Sequence, residues 1–269
     1  MPEAKQAVDT TAGEAYEKHL VPGMFARWTE RAIHLAALKP GERVVDVACG
    51  TGVGARSAAK KVGRSGKVVA VDLDAGVVEV TRRLAQAEGV AIECHCASAL
   101  EMPLPDAAFD AALCLQGIQF FPDRMAGFAE IRRVLKPSGR LVATLWGPIA
   151  ENKGHEAIVR ALESQKADAS AAKKACSFAD PAEIRNTAVR AGFGSVELLT
   201  EDAVTEYASF DSFMEGFTVG SPSTRRAIQL LPDDGRERFA SDVRTALAQY
   251  IVNGRLEYPM RTHIVVARP

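Results

Sequence analysis

Val45-Asp46-Val47-Ala48-Cys49-Gly50-Thr51-Gly52-Val53-Gly54-Ala55 joins the end of a β-branched run to the start of a helical pattern. Glycines placed between a strand and a helix let the backbone turn tightly and approach a ligand with no Cβ in the way. Gly50, Gly52 and Ala55 also satisfy the loose dinucleotide spacing G-x-G-x-x-A, so the loop alone names no cofactor. Asp72 closes the next apolar run about 20 residues on, where a carboxylate can accept hydrogen bonds from two ribose hydroxyls. Asp46 is more discriminating. A carboxylate just before the glycines puts negative charge where a pyrophosphate would sit, which disfavours a diphosphate and suits a cationic ligand.

Outward from this loop, short apolar runs alternate with helical patterns: Arg43 to Val47, Val68 to Val71, Ala91 to Cys94, Phe109 to Leu115 and Arg140 to Trp146. Continuous apolar strands are buried on both faces, and helices between them make the sheet parallel. The fold class is therefore α/β, a doubly wound, mostly parallel sheet. Gly52 to Lys61, Ala75 to Glu88 and Asp123 to Leu135 are the connecting helices. Gly89 ends the second of them, and Lys136-Pro137-Ser138-Gly139 reads as a turn that stops the third and feeds a strand.

Before the first strand, Thr11 to Leu38 reads as one or two amphipathic helices broken at Pro22-Gly23, suited to cover the sheet as a lid. Beyond Trp146 the pattern turns helical: Glu151 to Ala172, Asp180 to Ala191, Ser209 to Leu231 with a break at Gly220-Ser221-Pro222, and Asp234 to Val252. Ser195 to Thr205 and Arg261 to Arg268 read as strands around that helical insert, and such a pair forms a hairpin with one antiparallel strand. The expected organisation is a single domain over 1–269: an N-terminal helical lid (1–40), a cofactor core (41–147), a helical cap insert with a core strand near 195–205 (148–260) and the last strand (261–269).

The chain has 269 residues, a net charge of −1 and 47% hydrophobic residues, a globular composition long enough to hold a core without disulfides. Near-neutral charge argues against a nucleic-acid partner, because phosphate backbones are held by excess Lys and Arg. Met1 to Gly13 lacks the charged start and apolar run of a secretory signal, and apolar stretches such as Leu141 to Trp146 are too short to span a bilayer. A cytoplasmic protein with no membrane partner is expected, and a homodimer is left open. The five cysteines read as free, buried thiols of a reducing compartment.

Four ordered blocks resemble the class I S-adenosylmethionine (SAM)-dependent methyltransferases, in particular the ubiquinone/menaquinone-biosynthesis branch (methyltransferase type 11 domain). They are Val45 to Ala55, Ala70-Val71-Asp72-Leu73-Asp74, Pro103-Leu104-Pro105-Asp106-Ala107-Ala108-Phe109-Asp110 and Glu130-Ile131-Arg132-Arg133-Val134-Leu135-Lys136-Pro137-Ser138-Gly139-Arg140. The resemblance implies a seven-stranded Rossmann-like sheet with a terminal antiparallel hairpin. It implies SAM as cofactor, S-adenosyl-L-homocysteine as product, and a small-molecule acceptor methylated on O, N or C. Ala48, Cys49, Gly50, Thr51 and Gly52 would line the methionine part, Asp72 would hold the ribose diol, and Leu73 and Val77 would sandwich the adenine. Ser98, beside Ala99, replaces the family's usual acid at the adenine amino group. Gln116 matches a position near the methionine carboxylate or the substrate, and Tyr16 resembles a residue that packs on SAM from above.

Other residues carry two readings. Gln119 and Phe120, leaving the fourth strand, either contact substrate or anchor the next helix. His155 is a candidate general base or a surface histidine; His19 and His34 fall in helical segments and His263 in the last strand. Cys94 and Cys96 alternate with His95 on a strand, so they share one face and make no metal site; core packing explains them. An NAD(P)-dependent oxidoreductase shares the glycine loop and Asp72 but not the later blocks. A SAM-binding regulatory or assembly protein shares all of them.

Overall fold

A computed structural model describes residues 8–269. The first seven residues, with their part of the Met1 to Gly13 reading and of the 1–40 lid, lie outside the described residues.

The chain opens with α1 (Thr11–Ala15), a π-helical stretch (Tyr16–Phe25) and α2 (Ala26–Ala36). The expected break at Pro22-Gly23 does not occur. Pro22 sits inside the wider π register, in which its missing N–H falls within an already irregular hydrogen-bond ladder. Next come β1 (Arg43–Val47), α3 (Val53–Val62), β2 (Lys67–Asp72), α4 (Ala75–Ala87), β3 (Glu93–Cys96), β4 (Phe109–Leu115), α5 (Arg124–Val134) and β5 (Leu135–Trp146). α6 (Lys153–Ser164), α7 (Ser170–Lys174), α8 (Pro181–Arg190), β6 (Ser195–Tyr207), α9 (Phe210–Glu215), α10 (Arg225–Gln229), α11 (Asp233–Leu247), β7 (Ile251–Val252) and β8 (Arg255–Arg268) complete it.

The sheet runs β3-β2-β1-β4-β5-β8-β6, parallel from β3 to β5, with β8 antiparallel to both β5 and β6. The expected seven strands gain an eighth, because β7 pairs with the start of β8. That replaces the end of the helix expected over Asp234 to Val252. The turn at Asn253 and Gly254, both left-handed, lets the chain reverse there, and β8 therefore starts at Arg255 rather than Arg261. The Lys136 to Gly139 turn is absorbed into β5 as an irregularity, since Phe109 pairs with Leu135 but Ala111 with Arg140.

Val44, Val45 and Val47 of β1 are all buried, alternate residues feeding two cores. One core packs α2, α3, α6 and α11 (Trp28, Ala58, Ile158, Phe239), the other α5 and α8 (Phe128, Ile131, Ile184). Both faces of the central strands are thus covered, as continuous apolar runs require. Arg140 fixes the approach of α2 by donating to the carbonyls of Ala36 and Ala37 while pairing with Glu42 at 2.7 Å. The cysteines divide by position: Cys49 and Cys114 are buried, Cys94 and Cys176 half-buried, and Cys96 exposed. The uniform burial expected of them fails at Cys96, the last residue of the edge strand β3, where no further strand covers the side chain. No helix among the described residues is long and apolar enough to cross a membrane, and no cluster of metal-ligating side chains occurs among them.

Candidate functional site

The parallel strands converge with their C-terminal ends at the β1–α3 loop, where open α/β sheets place ligands. Ala48, Gly50 and Gly52 take left-handed backbone angles, φ +55°, +55° and +80°. Gly52 has no alternative, for a Cβ there would lie 2.5 Å from Cγ2 of Thr81. Thr81, on α4, returns a hydrogen bond to the Gly50 carbonyl at 3.0 Å. Asp72 holds the loop from β2: its carboxylate accepts the N–H of Gly50 at 2.9 Å and of Asp74 at 3.0 Å. Burial raises the Asp72 pKa against the pull of those backbone donors.

Asp46 is 1% exposed, and neither oxygen makes a hydrogen bond of full geometry. Burial pushes its pKa up to about 7, only partly opposed by the Ala55 N–H and Arg56. A Cβ on Gly54 would meet Asp46 Oδ2 at 2.7 Å, so the carboxyl lies directly under the first turn of α3. An unpaired buried carboxylate is costly, and a cationic ligand at this end of the sheet would relieve it.

Tyr16 stands over the loop, its ring 3.8 Å from where a Cβ of Gly50 would be. Burial and the Asp72 charge raise its phenol pKa well above the ordinary value, so it stays protonated. The neighbouring Glu17 anchors it. Glu17 accepts from Thr51 Oγ1 at 2.5 Å and pairs with the buried Arg56 at 2.5 Å. Arg56 also donates to the Thr51 carbonyl and pairs with Glu88 at 2.7 Å. Sequence reasoning missed this latch because its members share no local spacing. Glu17→Ala leaves the Thr51 hydroxyl without its acceptor and Arg56 with Glu88 as its one remaining carboxylate partner, so we expect a loss of about 1–3 kcal/mol in thermal or urea unfolding, with weaker cofactor binding; an unchanged melting temperature would contradict the latch.

From Tyr16 outward an aromatic row links Tyr16 to Phe25 (5.0 Å between centroids), Phe25 to Trp146 (5.6 Å), Trp146 to His155 (5.7 Å) and His155 to Phe217 (5.6 Å). His155 is not a surface histidine: it is 6% exposed, its Nδ1 lacks a partner, and burial pushes its pKa down to about 4. Gln116 and Gln119 are buried and bonded to each other at 3.1 Å. Phe120 is partly exposed beside them.

The residues expected at an adenine are less assembled. Leu73 is 75% exposed, while Val77 lies under α1, where a Cβ on Gly13 would approach its Cγ1 to 3.6 Å. Ser98 Oγ accepts the Leu100 N–H at 3.1 Å, leaving its hydroxyl proton and one lone pair for a ligand; Ala99 follows in the same turn. Three other histidines have structural partners: His19 bonds Ser212 (2.9 Å), His95 bonds Glu93 (2.7 Å), and His263 bonds Thr200 (2.8 Å) and the Ala179 carbonyl (2.9 Å). His34 lies on α2 near its C-terminus.

Residues 45–143 match the family model described as a methyltransferase domain. Demethylmenaquinone methyltransferase of Thermus thermophilus is 37% identical over 126 residues, 47% of this chain and 57% of that protein. The ubiquinone/menaquinone biosynthesis C-methyltransferase of Chromobacterium violaceum is 32% identical over 132 residues, 48% of this chain and 54% of that protein. The chain thus spans about half the length of the curated relatives it matches. Among solved structures, the YcgJ protein of Bacillus subtilis superposes with a TM-score of 0.62 at 17% identity, covering 90% of this chain and 98% of that one. Phosphoethanolamine N-methyltransferase 2 of Haemonchus contortus does so with a TM-score of 0.62 at 19% identity, covering 97% of this chain and 57% of that one. At such identities the likeness is one of fold. The resemblance to class I SAM-dependent methyltransferases carried by the four sequence blocks is borne out, on residues 45–143 and on the sheet.

Proposed function

We propose that this chain, which carries a class I methyltransferase domain over residues 45–143, transfers a methyl group from SAM to O, N or C of a small, flat acceptor. The observation that carries the reading is the pair of carboxylates at the strand ends, Asp46 buried without a partner and Asp72 bonded to the Gly50 N–H of the glycine loop. A dinucleotide's pyrophosphate would meet the Asp46 charge, whereas a cation answers it, so an NAD(P) oxidoreductase is the weaker reading. The names of the curated relatives support a quinone-like acceptor.

When bound, SAM supplies a methyl group already activated by its sulfonium. The chain then has to align, enclose and dry the reactants, and positioning alone is worth many kcal/mol. Asp72 takes the ribose, Ala48 to Gly52 the methionine part with Asp46 beneath, Ser98 and Ala99 the adenine edge, and Tyr16 closes over the loop as part of the lid, 1–40. The core, 41–147, holds the cofactor, and 148–260 caps the acceptor among Trp146, His155 and Phe217. His155, neutral near pH 7, can accept a proton from a phenol or enol through Nδ1. Incubation with methyl-labelled SAM and reduced naphthoquinones tests the reading: label in the organic phase with release of S-adenosylhomocysteine supports it, and tight cofactor binding with no transfer across an acceptor panel favours a regulatory protein.

Asp46 gives a second test. Its folded pKa is raised, so its contribution to stability is fully present below about 4 and lost as pH rises through about 7. A bound cation reverses that preference and expels the proton. Calorimetric titration with SAM at pH 7 should therefore give enthalpies that differ between buffers of unlike ionisation enthalpy, and Asp46→Asn should abolish the difference. Equal enthalpies for the unaltered protein would count against the carboxyl's role.

A further inference from the structure

Gln116 and Gln119 each engage only one polar atom in bonding to the other. With Gln119 Nε2 donating to Gln116 Oε1, the Gln116 amide nitrogen and the Gln119 amide oxygen are buried without partners. Rotating both amides by half a turn only exchanges the roles: two primary amides joined by one hydrogen bond always leave one N–H donor group and one carbonyl acceptor free. The backbone is strained here too, since Gln116 is a non-glycine residue at φ +57°, a conformation that long side chains rarely adopt.

The fold pins this pair at the ends of β4 and β5. The Gln116 N–H donates to the Thr144 carbonyl at 2.9 Å, two residues before Trp146. Gly117 is pressed against the cofactor loop, for a Cβ there would fall 2.7 Å from that of Ala48. The pair thus lies beside the loop, at the end of the strand that neighbours β5, which ends at Trp146. It carries no net charge, so it matches an uncharged polar edge better than the zwitterionic end of an amino acid.

We infer that the Gln116–Gln119 amide pair is the specificity element for the methyl acceptor and takes a planar ring whose edge bears a hydroxyl donor beside an oxygen acceptor, as in an ortho-diol. The free Gln119 oxygen accepts from the ring hydroxyl, and the free Gln116 N–H donates to its neighbour. The inference rests on the methyltransferase reading above.

The test loads the full chain with S-adenosylhomocysteine and titrates it with 2,3-dihydroxynaphthalene and with 2-naphthol, following tryptophan fluorescence. The diol should bind at least about tenfold more tightly, because a site with buried polar groups penalises a ligand that leaves one unpaired. Gln119→Met, of similar volume, should bring the diol down to the naphthol's affinity while S-adenosylhomocysteine affinity stays within about twofold. Gln116→Asn, which keeps the left-handed backbone accessible, should do the same and guards against a folding defect in the first variant. Equal affinities for the two probes, or binding of neither, overturn the inference. So does cofactor affinity that falls in step with both substitutions, which would assign the pair to the cofactor. Failure of the unaltered chain to bind S-adenosylhomocysteine would instead remove the methyltransferase reading, and the inference with it.

Discussion

Asp72→Ala should weaken SAM binding by about 2–3 kcal/mol, the value of charge-assisted hydrogen bonds to a ribose diol. Part of the effect comes from the chain itself. Asp72 also holds the Gly50 N–H, so its loss frees the loop that has to stay open for the ligand. Asp72→Asn retains one carbonyl oxygen for Gly50 but presents an N–H₂ group to the ribose, and should fall between the two. Because Asp72 lies at the end of β2 and is not a core residue, the melting temperature without ligand should change little. Equilibrium dialysis or calorimetry reads the first effect and a melting curve the second; unchanged affinity in Asp72→Ala would remove the carboxylate from the site.

Gly52→Val should be the most damaging single change in the loop, costing about 2–4 kcal/mol of folding stability. Two costs add. The backbone at φ +80° is closed to a β-branched residue, and the new Cβ would lie 2.5 Å from the Thr81 methyl. Thr81 is fully buried and bonded to Gly50, so it cannot swing aside without breaking the contact that orders the loop. Pairing the change with Thr81→Ala relieves the clash but not the strain, and should recover part of the loss. Full recovery would show that only space, and not backbone conformation, requires glycine at this position. A denaturant unfolding series of the single and double variants separates the two contributions.

The parallel half of the sheet was readable because its signals are local. Val44, Val45 and Val47 form an apolar run broken only by Asp46, Gly52 marks the turn, and Asp74 and Asp123 cap the helices that follow, accepting the N–H groups of Gly76 and Ala126. Departures occur where the deciding partner is remote in sequence. Pro22 reads as a break, but the packing of its segment on the rest of the chain keeps the helix going in a π register. Ile251 and Val252 continue a helical period and yet pair with Arg255 and Leu256. The site divides in the same way. Asp46, the glycines and Asp72 were visible as a motif, whereas the Glu17, Thr51 and Arg56 latch joins residues 34 and 39 positions apart and leaves no pattern. The meaning of His155 also needed the fold, since only its enclosure by Trp146 and Phe217 makes it a neutral, buried imidazole.

That enclosure has a pH consequence of opposite sign to Asp46. The depressed His155 pKa contributes stability above about 6.5 that is lost as pH falls through about 4. Over the range from 6.5 to 4 the two groups offset each other, so the unaltered protein should show a shallow stability profile. Asp46→Asn should expose the His155 slope, with stability falling on acidification, as followed by urea unfolding at a series of pH values.

Calorimetric titration of the purified chain with S-adenosylhomocysteine and, separately, with NAD at pH 7 bears most directly on the reading of the strand-end carboxylates. The expected result is one S-adenosylhomocysteine bound per chain and no heat from NAD. Binding of NAD with none of S-adenosylhomocysteine would contradict it.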